Sequence, residues 1–255
     1  MRETLGESSK KKKNDVMTPK EKLIFIQNNK YEDEDGDIFG INLLSGLTES
    51  ELKLFAERLP SQKIPTEIRD LLILCKGFTF QPLEEVRFDA FEVFGFEEIF
   101  PYSIQLAGDG FGNFWILDID GQGNWNCVYY VCHDPAVIVK HSENLSDFIS
   151  HVDEFGFDQI NSHLNIIHDR TVFEIYEEKV GILERNDKDY PFEKSIKVDA
   201  PYLIADLKDL PVKSGFRWDI SGSRTKILRP SDEPIWVIEK SVKQNLLSRL
   251  FNLKK

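Results

Sequence analysis

"LAGDGFGNFWILDIDG", residues 106–121, decides how the rest of the chain is read. Its glycines and its three aspartates, Asp109, Asp118 and Asp120, fit a phosphate cradle, a calcium loop or a β-hairpin. A phosphate cradle needs a strand before it and a helix N-terminus after it, so that free N–H groups and the helix dipole meet the anion. Here the third glycine of "GDGFGN" falls at the wrong spacing, and "FWILDID" continues as a strand. For calcium, Asp118 at position one places Asp120 at three, Gln122 at five and Gly123 at six. Position twelve is then Tyr129, where a bidentate glutamate is required, and strands rather than helices flank the loop. The hairpin accounts for every residue: glycine and aspartate make the turns, while Phe114 and Ile116 face one way and Trp115 and Leu117 the other, into and out of a core.

Working outward, "GLTESELKLFAERLP" opens a helix with Thr48 and Glu51 as a capping box and Leu52, Phe55, Ala56 and Leu59 on one face. "IPTEIRDLLILCKGF" is a second, with Pro65 in its first turn, Ile68, Leu71, Leu72 and Cys75 inward and Gly77 as the stop. From Phe78 to Val131 the period becomes that of strands: "FTF", "VRFDAFEVFGF", "YSIQLA", "FWILDI" and "CVYYV". "SENLSDFISHVDEFG" returns to helix, with Leu145, Phe148, Ile149, Val152 and Phe155 inward and Gly156 as the stop. Upstream, residues 20–30 predict a short helix before the acidic "YEDEDGD". Downstream, "TVFEIYEEKVGILER" reads as a strand hairpin, "PIWVIEK" as a strand and "SVKQNLLSRLFNLKK" as an amphipathic helix. The fold class expected is α+β. Residues 1–45 form a polar tail and acidic loop, 46–156 one domain, and 157–255 a smaller α+β extension.

Charge is unevenly distributed. Of the net −12, residues 14–159 carry 27 acidic against 10 basic side chains, while the segments on either side are mildly basic. A field of that sign repels nucleic acid and anionic lipid and speeds encounter with a basic protein; solubility alone is the plain alternative. The Lys10–Lys13 run reads as a solvated tail, with a nuclear address or an anchor for acidic partners as alternatives. Three cysteines, no signal peptide and no long apolar run point to a reduced, cytoplasmic protein outside the membrane.

Catalytic and metal-binding patterns are weak. In "CVYYVCHD", Cys127 and Cys132 point to opposite faces of a strand, as do Cys132 and His133, and Cys127 stands roughly 20 Å from His133. His133 therefore reads as a strand-end residue bonded by the following turn. His141, His151, His163 and His168 are scattered, with no nucleophile elbow or Ser/His/Asp spacing. No cofactor, no metal and no catalytic residue is expected. The cluster Glu32, Asp33, Glu34, Asp35 and Asp37 reads as a solvated loop or as a contact for a cation or a basic protein.

The order of these pieces resembles the SUKH superfamily, the Smi/Knr-like domains of fungal cell-wall regulators and bacterial immunity proteins. The resemblance runs through "LTESELKLFAERLPSQKIPTEIRDLLILCKG", "FEVFGFEEI", "IQLAGDGFGNFWILDIDG", "VYYVCHDP" and "LSDFISHVDEF", leaving out the first 45 residues and those after 156. It implies a single sheet, mostly antiparallel or mixed, with packed helices, used as a non-catalytic protein-binding module. In bacteria it implies an immunity protein that neutralises a toxin, often a nuclease or deaminase, by direct binding. A basic toxin domain suits the charge, since an acidic inhibitor both finds a nucleic-acid groove and mimics its substrate. The alternative is a regulatory scaffold of the cell-wall synthesis and signalling type. The contacts expected under either reading are Asp109, Asp118, Asp120, Asp134 and the Glu32–Asp37 loop, with Trp125 as an exposed aromatic anchor.

Overall fold

The computed structural model describes residues 17–91, 98–178, 182–183, 202–219 and 225–239. The Lys10–Lys13 run, most of "FEVFGFEEI" and the amphipathic segment 241–255 lie outside the described residues.

Helix α1 (Pro19–Ile26) opens on a capping box between Thr18 and Glu21, and α2 (Glu49–Arg58) on the one predicted between Thr48 and Glu51. In each, the threonine hydroxyl accepts an N–H that the first helical turn leaves unpaired, and the glutamate accepts one in return. Between them the short strands β1 (Tyr31–Glu32) and β2 (Ile38–Phe39) form a hairpin, and β3 (Asn42–Leu43) joins a later sheet. Residues 17–45 are therefore more than tail and loop: Leu23, Ile26, Tyr31 and Ile41 are buried in the main core.

Helix α3 (Thr66–Leu74) has Pro65 as its N-cap and buries Ile68, Leu71 and Leu72. It ends at Cys75, so Gly77 is not its stop. Gly77 belongs to β4 (Gly77–Phe80), where any side chain would collide with the Val86 carbonyl of β5 (Glu84–Arg87). Then come β6 (Ser103–Gly108), β7 (Phe114–Ile119), β8 (Trp125–His133) and β9 (Ala136–Ser142), the last a strand without a counterpart among the predicted ones. Helix α4 (Leu145–Phe157) is capped by Asn144 and runs past Gly156. That glycine is kept by packing, since a Cβ would stand 2.5 Å from the Tyr31 ring.

The first arm of the predicted strand hairpin, residues 171–178, is overturned, while residues 179–181 and 184–185 of its second arm lie outside the described residues. Helix α5 (His163–Ile166), a π-helical turn (Ile167–Thr171) and α6 (Val172–Glu178) make one helical run. Leu164, Ile167, Thr171, Val172 and Ile175 are its buried residues, recurring every three to four positions with Thr171 and Val172 side by side, and that stripe outweighs the β-branched composition. Short strand β10 (Ile182–Leu183) follows, then β11 (Tyr202–Asp206), β12 (Gly215–Arg217), β13 (Ile227–Leu228) and β14 (Ile235–Glu239). The last includes the predicted "PIWVIEK" strand.

The fold is α+β, but with several antiparallel sheets rather than one. The central sheet has the order β12-β9-β8-β7-β6, a second has β10-β11-β14-β13, and a third β3-β4-β5. The predicted alternation along β7 is present, yet neither face meets water. Trp115 and Leu117 join the helical core with Phe148 and Val152, whereas Ile116 joins Tyr129, Leu203, Phe216 and Trp236. Trp236 is completely buried, with ring centroids 5.5 Å from Tyr129 and 5.8 Å from Phe100, and its indole N–H donates to the Ile99 carbonyl over 2.9 Å. Residues after 200 thus complete the core, and β12 lengthens the central sheet by pairing with β9.

Replacing Trp236 by alanine is expected to cost about 3–5 kcal/mol. Urea unfolding followed by far-UV circular dichroism checks this, and a single shifted transition is expected because the two faces of β7 share one sheet.

Candidate protein-binding surface

Four hairpins carry the expected contact residues, and three of them use one turn device. In β1–β2 the Asp33 carboxylate accepts the N–H groups of Asp35 and Asp37, at 3.1 and 2.8 Å. In β6–β7 Asp109 accepts those of Phe111 and Asn113, at 2.9 and 3.1 Å, and in β7–β8 Asp120 accepts those of Gln122 and Asn124, both at 2.9 Å. Each loop closes with a backbone bond from the aspartate N–H to the carbonyl four residues on. The residue before that closing position is Gly36, Gly112 or Gly123, with φ of 85°, 90° and 81°. Only glycine adopts that left-handed conformation without strain.

These aspartates are turn-formers first. Asp109 also accepts the Asn113 amide at 2.6 Å and the Tyr130 hydroxyl at 3.0 Å. Burial works against its charge, but those donors together hold its carboxyl below the usual carboxylate value. The same contest, with Asn124 as the leading donor, keeps Asp120 low, while the Asp37 N–H leads in lowering Asp33.

Asp118 departs furthest from expectation. Rather than facing a partner, it is 2% exposed, and its two oxygens pair with both terminal nitrogens of Arg229, which also donates to the Asp232 carbonyl at 2.7 Å. Burial pushes the Asp118 carboxyl up and the guanidinium pulls against it. The bidentate fork is the geometry of an ionised pair. Nothing local in the sequence links Arg229 to a residue 111 positions earlier, so no pattern points to it.

Trp125 is half-buried rather than an exposed anchor, packed near Phe55 with ring centroids 6.3 Å apart. Its indole N–H is buried without a hydrogen-bond partner. Asp134 is exposed in the β8–β9 turn. Glu32, Glu34, Asp35 and Asp37 are exposed too, whereas Asp33 is half-buried and bonded to the Gln81 amide at 3.0 Å. The expected residues do not form one patch. Asp109 and Asp134 lie at one end of β7 and β8, Asp120 and Trp125 at the other, about 20 Å away at ~3.3 Å per residue. The acidic loop is a third place.

The end that holds Asp109 also holds Phe111, which is 78% exposed on the tip of its turn and which no sequence pattern singles out. His133, exposed beside it, bonds Asn113 of the preceding turn at 2.9 Å rather than a group of its own following turn. Among the described residues no group of three or more His, Cys, Asp or Glu side chains stands together as a metal site. Burial raises the Cys75, Cys127 and Cys132 thiols to about 11 each, so they are held as neutral thiols at neutral pH. None of the helices described is long and apolar enough to cross a membrane.

Because the Asp118–Arg229 pair is buried, Asp118→Asn is expected to destabilise the protein by about 3–5 kcal/mol, leaving Arg229 uncompensated. The double variant D118L/R229M is expected to recover most of that loss. Chemical denaturation of the three proteins side by side measures it.

Comparisons with curated proteins and with solved structures give no match. A family model does match, over the segment that runs from just before α2 into α4 and includes β4 to β9. The match is to the SMI1 / KNR4 family (SUKH-1), over residues 46–151.

Proposed function

We propose that this chain is a non-catalytic protein-binding module of the immunity type, which neutralises a basic toxin domain, of nuclease or deaminase class, by direct binding in the cytoplasm. The observation that carries this reading is the placement of charge. Residues 14–159 hold 27 acidic and 10 basic side chains, and Glu32, Glu34, Asp35, Asp37 and Asp134 are exposed on or beside hairpin turns. Both faces of the central sheet are spent on packing, so its turns and edges are what remain for a partner. Glu32, Glu34, Asp35, Asp37 and Asp134 supply the field that attracts a basic surface, while Asp33, Asp109 and Asp120 keep the loops in shape. The family match supports protein binding without catalysis; the regulatory scaffold of the cell-wall type shares that property and is separated from immunity by the partner's identity.

The test is affinity capture from the source cell's lysate at low and moderate salt, read by mass spectrometry. Wild type is compared with a variant in which Glu34, Asp35, Asp37 and Asp134 are lysine. Asp118 is left alone, because altering it would test folding instead. Retention of a basic toxin-like domain by wild type, with at least a tenfold loss in the variant, is the expected outcome. A partner from cell-wall synthesis or signalling would replace immunity with the scaffold reading. A toxin retained equally by the variant would move the interface away from these carboxylates.

A further inference from the structure

Three histidines that lie far apart in sequence meet where α4 and α5 rest on β9. The rings of His151 and His163 stack at 3.8 Å, and His141 stands edge-on to both, at 5.7 and 4.8 Å between centroids. His141 is fully buried. Its Nδ1 bonds the Ser142 hydroxyl at 2.7 Å, its Nε2 has no partner, and the rings of Trp115 and Phe148 stand edge-on to it at 6.2 and 5.7 Å. His163 Nε2 donates to the His141 carbonyl over 2.7 Å, tying the first turn of α5 to the sheet. Nearly parallel rings cannot share a metal ion in both ring planes, so the cluster is not a metal-binding arrangement.

The surroundings decide what a proton would meet here. From α4 come His151 and Glu154, which lie 3.3 Å apart, and the Glu154 carboxylate works weakly in favour of a charge on His163. From α5 comes His163. From the loop before β12 comes Lys213, whose positive charge disfavours a second one on His163. Along β9 the Lys140 ammonium is already paired with Glu143 at 2.8 Å. Nothing anionic faces His141, so a proton there would bury a bare charge among aromatic rings.

We propose that His141, His151 and His163 form an acid-sensitive latch, which holds α4 and α5 against β9 while His141 and His163 are neutral and releases the helical run 163–178 when these two are protonated. At its start the run is also held by Leu164 and Ile167, which are buried in the main core, and by the Ser162 cap. Its far end packs through Ile175 against Gly215 and through Tyr176 beneath the Arg217 guanidinium, 4.0 Å from the ring centroid.

Burial, with the neighbouring imidazoles, holds His141 well below the ordinary histidine value, and burial together with His151 holds His163 at about 4. The unfolded chain would charge both rings below about pH 6.5. It then binds more protons than the folded chain, so stability falls as pH drops from about 6.5 towards 4. Asp109 and Asp120, held below the usual carboxylate range, contribute their own loss only at lower pH.

The full chain and the double variant H151Q/H163Q would be unfolded in urea at pH 7.5 and 5.0. Glutamine can still donate to the His141 carbonyl but takes up no proton. Between these two pH values the wild-type unfolding constant is expected to rise by a factor roughly tenfold or more larger than that of H151Q/H163Q, given the His163 ring kept neutral about 1.5 units below the unfolded value. Amide protection factors, which remove the intrinsic pH dependence of exchange, should fall across 163–178 before they fall in β7 and β8. Should H151Q/H163Q not fold, side-chain NMR titration of the wild type decides the matter: His141 and His163 are expected to resist protonation until protection across 163–178 is lost. Equal pH dependence in the two proteins would overturn the latch. So would ordinary titration of His141 and His163 in a chain whose helical run stays protected.

Discussion

A central sheet that is apolar on both faces sets the terms for everything around it. Strand β7 turns Trp115 and Leu117 towards the helices and Ile116 towards Tyr129, Phe216 and Trp236, and β9 is buried along its whole length. Apolar area left in water on either side would be costly at about 25 cal/mol per Å², so each face needs a cover. The helices α1 to α6 supply one. The sheet of β10, β11, β14 and β13 supplies the other, and β12 joins the central sheet directly. The segment that matches the SMI1 / KNR4 family therefore rests on residues from both sides of it, Tyr31 and Ile26 from before, Trp236 and Arg229 from after.

That double coverage also governs where chemistry can be exposed. Polar groups within the layers must find partners inside: Asp118 finds Arg229, Lys140 finds Glu143 and the Leu210 carbonyl, and the Trp236 indole finds Ile99. The exceptions among the described residues are His141, with one ring nitrogen left over, and the indole N–H groups of Trp115 and Trp125. A buried ion pair contributes little net stability compared with apolar residues of the same size, but it fixes which loop lies against which strand. At the surface, three hairpin tips repeat one aspartate-capped turn; that of β1–β2 presents Glu34, Asp35 and Asp37, and that of β6–β7 presents Phe111. A rigid acidic tip loses little conformational freedom on binding, which suits an acidic binder of a basic protein.

Local sequence determined the elements whose signals are local. The capping box of Thr48 and Glu51, the buried stripe of α3, the Asn144-capped α4 and the alternation through "FWILDI" are each set within a few residues, and the structure contains them. The hairpin at "LAGDGFGNFWILDIDG" is legible because aspartate and glycine turns are chemistry of neighbouring atoms. Only tertiary structure decided the rest. Whether Asp118 faces a partner or a buried guanidinium depends on Arg229, and whether 171–178 is strand or helix depends on what Val172 and Ile175 pack against. Gly156 is explained by the Tyr31 ring, not by the end of a helix. The histidine cluster joins β9, α4 and α5 through contacts that no spacing encodes. Hydrogen bonds along the chain are legible in the sequence, whereas burial is a property of all the surrounding residues at once.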